Sequence, residues 1–182
     1  MTNILGLTCG KKERKATDGK WEERDGVIYI NVPLTGTGKI DKERIQAIKE
    51  RNVEFFPPFI EDFLLTGKEL SKMKNGRIVI LRGKNLELMK IRKQGAEKGF
   101  IEPSPDMVCC LAETLSIDDF REMGLDTIIG NYAYTFLDYE LPRKGETGVV
   151  LTLEIRHGRL CISVTSNLRQ EKGGYAFIAP LE

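Results

Sequence analysis

Residues 32 to 41, VPLTGTGKID, set two glycines and a lysine between an apolar run and an acidic helix start. A strand, a Gly-rich loop and a helix start in that order let backbone N–H groups face a phosphate. Gly36, Thr37, Gly38 and Lys39 are therefore candidate ligand contacts, with Lys39 adding a point charge. The P-loop pattern wants glycine five residues before its Gly-Lys pair and a hydroxyl residue after the lysine. Those positions hold Pro33 and Ile40 here, so the usual magnesium ligand is missing. A looser anion site survives this test, beside the simpler reading of an ordinary Gly-Thr turn.

A second basic group sits at Arg156, His157 and Arg159, with Arg169 and Lys172 close in sequence. Two arginines facing each other across a turn repel, so an acidic partner, a phosphate or water must offset them. A nucleotide or nucleic-acid contact is one way to do so, and a solvated turn is the other.

Nucleophilic and metal chemistry have little to stand on. Cys9, Cys109, Cys110 and Cys161 form no CxxC pair, and His157 is the only histidine, so no metal site is expected. In the hairpin read below, Cys161 faces Glu154, which opposes a thiolate and argues against a Cys-His dyad. The apolar surroundings of Cys109, Cys110 and Cys161 suit reduced core thiols in a cytosolic protein. Carboxylates are harder to set aside. Glu113, Asp118, Asp119, Asp126 and Asp138 fall near strand ends and helix starts, where acids bind magnesium, exchange protons or simply cap helices.

The opening ILGLTCGKK resembles the first strand and phosphate loop of flavodoxin-type flavin reductases, which would imply a flavin. The resemblance ends at Lys12: those proteins continue in an amphipathic helix, whereas GKKERKATDGKWEERDG follows here.

The elements that must position these groups follow from hydrophobic period and punctuation. NILGLTC reads as a strand, residues 10–26 as a charged, mobile loop, and VIYINV as a strand stopped by Pro33. Asp41 caps a helix over 42–51 with Ile45 and Ile48 inward. Pro57 and Pro58 split an aromatic run, after which 59–65 form a short helix ended by Gly67. RIVIL is a strand, and LELMKIRKQ reads as a helix, with a hairpin return strand as the alternative. MVCCLA reads as a buried strand, placing Cys109 and Cys110 on opposite faces. SIDDFREMG carries Ser116 as N-cap, Asp119 three residues on, and Gly124 as stop. DTIIG is a strand.

LTLEIRHGRLCISV reads as two alternating strands joined by a His157-Gly158 turn. Pairing sets Ile155 against Leu160, Leu153 against Ile162 and Leu151 against Val164, with Thr152–Ser163 and Glu154–Cys161 on the other face. YAFIA adds a last strand. The sum is an α+β domain: a mixed sheet with a few packed helices and a C-terminal antiparallel hairpin, or alternatively an irregular Rossmann-like α/β arrangement.

At 182 residues the chain suits one domain, and 28 basic against 27 acidic residues give no bulk attraction to nucleic acid or anionic membrane. No stretch approaches a membrane span, and the N-terminus does not read as a secretory signal. Three functions stay open. The first is binding of a phosphate-bearing ligand, nucleotide or nucleic acid, through Gly36–Lys39 and the basic hairpin tip. A protein-interaction or homo-oligomeric assembly module, using edge strands or the aromatics of FFPPF and NYAYTFLDYE, is the second. Third comes a small carboxylate- and metal-dependent enzyme.

Overall fold

The computed structural model describes residues 13–31, 40–66, 76–83, 88–103, 105–132, 150–165 and 172–180. The NILGLTC strand, Gly36 to Lys39, Asp138 and Arg169 lie outside them.

Among the described residues, nine strands form one mixed sheet with five helices packed on it, an α+β arrangement. The strands are β1 (Arg14–Lys15), β2 (Trp21–Arg24), β3 (Val27–Ile30), β4 (Val53–Phe56), β5 (Gly76–Gly83), β6 (Thr127–Tyr132), β7 (Val150–Arg156), β8 (Arg159–Thr165) and β9 (Gly173–Pro180). Across the sheet they run β1-β2-β3-β5-β9-β6-β7-β8-β4. The β9–β6 and β8–β4 pairs are parallel and the rest antiparallel. β9 therefore sits between β5 and β6, joining a half built early in the chain to one built mostly late.

The helices are α1 (Lys42–Glu50), α2 (Phe59–Thr66), α3 (Leu88–Glu97), α4 (Met107–Thr114) and α5 (Ile117–Met123). On one face, Ile45 and Ile48 of α1, Ile60 and Leu64 of α2, Leu111 of α4 and Phe120 of α5 pack with Ile28, Ile80, Leu153 and Ile162. Across the sheet, Ile91 of α3 joins Val27, Val79, Leu81, Tyr175 and Phe177 in a smaller cluster. Alternation along each strand supplies both faces at once.

The local rules hold where side chains act on their own backbone. Asp41 Oδ1 accepts from the Arg44 amide at 2.9 Å to start α1, and Asn52, at φ 61°, turns the chain out of it. In α5 the Ser116–Asp119 capping box is complete, and Gly124 leaves at φ 69°. The ambiguous 86–94 segment is helical from Leu88, as favoured over a hairpin return. The β7–β8 register matches the expected pairing at every position, with positive φ at His157 (49°) and Gly158 (77°) as a two-residue turn needs.

Three readings need correction. MVCCLA is the start of α4, not a strand, so Cys109 and Cys110 are helix neighbours rather than residues on two sheet faces. A short apolar run buried on every side carries no period to tell helix from strand. α4 lies so close to the sheet that a Cβ on Gly130 of β6 would collide with Val108 Cγ1.

Within 13–26 the structure has β1 and β2 in place of a continuous loop. The Asp25-Gly26 turn, at φ 51° and 75°, closes the β2–β3 hairpin. Trp21 and Glu23 face inward. Glu23 is accepted there because Arg82 binds it with two bonds, Nε–Oε1 at 2.9 Å and Nη2–Oε2 at 3.0 Å. Those bonds hold the Glu23 carboxyl below the usual carboxylate range. Finally VEFF, given no element in the sequence reading, is β4, a parallel edge strand on β8.

Candidate cavity at the hairpin tip

The β7–β8 turn, the end of α1 and the entry to α5 meet around an open cavity of about 560 Å³. Val53, Leu115, Ile117 and Leu160 give it apolar walls, and Arg51, Asn52, Ser116 and Arg159 give it polar ones. Its volume falls within the range that small-molecule pockets span, and it stays open to solvent on one side.

Each polar group is placed by a local necessity. Arg51 is the C-cap of α1, and its Nε donates to the Ala112 carbonyl of α4 at 3.2 Å, fixing the guanidinium across the helix pair. Asn52 is there because the chain must reverse in a left-handed conformation before β4. Ser116 is committed already, since its Oγ and backbone serve the α5 capping box. Arg159 opens β8 and reaches sideways to Glu54 of β4, Nη1–Oε1 2.8 Å.

No family model, curated protein or solved structure matches this chain. The reading of the cavity therefore rests on its own residues.

Of the hairpin-tip candidates, Arg159 is among the residues lining the cavity, with its guanidinium turned to Glu54; Arg51 also lines it, a residue that sequence spacing gave no reason to single out. Arg156 is elsewhere: its guanidinium lies 4.5 Å from the Phe56 ring centroid, with Nε 3.8 Å from Glu154 Oε1. The repulsion expected between the paired Arg156 and Arg159 is thus offset by one glutamate each, the acidic-partner option. His157 is exposed at the tip.

Of the carboxylates proposed for acid–base or magnesium chemistry, the four described ones are each engaged by another group. Arg44 holds Glu113, Arg121 holds Asp118 at 3.0 Å, Asp119 completes the capping box, and Asp126 lies 3.9 Å from Lys172. Among the described residues no group of three or more His, Cys, Asp and Glu could hold a metal ion.

Cys109, Cys110 and Cys161 are free thiols. Burial pushes Cys161 up to about 11, with the Glu154 charge adding to it. Cys109 is raised further by burial, and Cys110 is raised by burial against the opposing pull of Arg44. In all three, burial outweighs any nearby positive charge, Arg44 beside Cys110 included, so none is poised as a thiolate nucleophile.

The sheet face away from α4 carries a second polar group. Ser163 Oγ donates to Glu154 Oε1 at 2.6 Å, and Thr152 Oγ1 lies 3.0 Å from Ser163 Oγ. Both hydroxyl residues are buried. The hairpin register had already put these side chains on one face; their bonding depends on distances that spacing does not give.

Proposed function

We propose that the protein binds a small phosphate-bearing ligand in the hairpin-tip cavity, with Arg51 and Arg159 as its charge contacts and Asn52 as a neutral one. The observation that carries this reading is the meeting of two arginines, distant in sequence, on one cavity of ligand size. Guanidinium forks suit phosphate oxygens, and apolar walls such as Leu115 and Leu160 suit the remainder of a nucleotide. Gly36, Thr37, Gly38 and Lys39 stay candidates from the sequence alone. Asp41, which ends that stretch, caps the far end of α1 from Arg51, so the proposal stands on the cavity and hairpin tip. A cytosolic setting fits the three free thiols, and no described helix is long and apolar enough to cross a membrane.

Calorimetric titration with inorganic pyrophosphate tests the reading. R51A and R159A are each expected to weaken binding about tenfold or more, the loss of one charged hydrogen-bonding partner. Undiminished binding by both folded variants would remove the cavity as the site.

A second reading has one observation in its favour. β4 ends the sheet, with β8 as its described neighbour, and Phe56 and Phe59 beside it are 51% and 45% exposed. An edge strand flanked by exposed aromatics is a pairing surface for a partner or a second copy.

A further inference from the structure

We infer that Glu54 is an internal counter-anion that a bound phosphate displaces from Arg159; this rests on the cavity reading above. Parallel pairing of β4 on β8 sets Glu54 opposite Cys161, two residues along from Arg159 and on the same sheet face. The Arg159 guanidinium reaches back to meet it with one bond, Nη1–Oε1 at 2.8 Å.

Both partners stay open to water, Arg159 with 62% of its side chain exposed and Glu54 with 47%. Such a pair is weak and is exchanged readily. A guanidinium carries five donors, and Glu54 occupies one of them with a single negative charge. A phosphate dianion offers two parallel acceptors and twice the charge, so it wins Arg159 from the carboxylate. Arg51 differs, since its Nε is held by a neutral carbonyl that an incoming anion has no reason to displace. The cavity thus holds one arginine fixed in place and one kept in reserve against its own sheet. Glu54 sets a threshold: an anion must outcompete it before both arginines engage.

Titration of wild type, E54Q and E50Q with inorganic pyrophosphate at low salt tests this. Glu50 is the last residue of α1, next to Arg51, and E50Q removes an equal charge without touching Arg159. Removing the competitor in E54Q should tighten binding roughly two- to fivefold, the range set by an exposed ion pair. The E50Q gain should be clearly smaller. Equal gains in the two variants would mean that general charge, not displacement, is at work, and would overturn the inference. So would wild-type binding that E54Q leaves unchanged or weakens, with the cavity reading intact. Absence of pyrophosphate binding in wild type and E54Q alike would overturn both.

Discussion

Arg44 grips Glu113 with one edge of its guanidinium, Nε–Oε1 at 2.6 Å and Nη2–Oε2 at 2.7 Å, so that α1 and α4 are tied by a planar fork. Nη2 also reaches the Cys110 sulfur at 3.2 Å, while Nη1 is buried without a hydrogen-bond partner. The arginine gives up solvent on one side for a carboxylate on the other, and the carboxylate raises its pKa further above the usual arginine value.

Breaking this pair should cost more from one side than from the other. R44A leaves Glu113 with partial access to water and is expected to destabilise by about 2 kcal/mol. E113A strands a mostly buried cation whose Nη1 already lacks a partner, and should cost more. Urea unfolding of the two single variants and the double variant checks this; additive losses would mean that the fork contributes no coupling energy.

The thiols tie stability to alkaline pH. Cys161 is held near 11 in the folded protein against an ordinary value of about 9, so the folded state keeps its proton where the unfolded chain has lost it. Its contribution is therefore whole below pH 9 and fades as pH rises towards 11. Cys109, shifted in the same direction, adds to the slope. Denaturation midpoints should fall across that window, less steeply in C161A than in wild type. Parallel profiles for the two proteins would assign the slope to other groups.

The aromatic edge can be tested apart from the cavity. Phe56 and Phe59 are about half exposed, so F56D and F59D should lower the unfolding midpoint only slightly, F56D the more because it also removes the ring that Arg156 stacks on. If β4 is a docking edge, sedimentation of wild type should reveal concentration-dependent association that either aspartate removes. A monomer at every concentration would exclude a second copy as the occupant of this edge.

Legibility from sequence followed the range of the interactions. The β7–β8 hairpin could be read pair by pair because turn and alternation are both local and agree. The equally local Asp25-Gly26 hairpin signal was obscured by the charges of WEER, where Glu23 occupies an inward position that an apolar residue would ordinarily mark. What makes it tolerable is Arg82, from a strand far along the chain. β4 was hidden for a related reason: four residues are too few for a period, and parallel pairing with β8 leaves no turn to announce it. Of the site, Arg159 was found as part of a basic cluster. Arg51 was not, because a C-cap arginine looks like any other helix end until the hairpin arrives beside it.

The placement of β9 governs the order in which the molecule can be assembled. A ribosome delivers β1, β2, β3 and β5 early, and the open side of β5 must wait for a strand made after all the other described ones. Until then the backbone edge of β5 that β9 pairs with stays open, although α3 can already cover Val79 and Leu81 with Ile91. Closing the sheet there joins residues far apart in sequence, a loop-closure cost met late and in one step. An unpaired strand edge of this kind invites misassembly until β9 closes it.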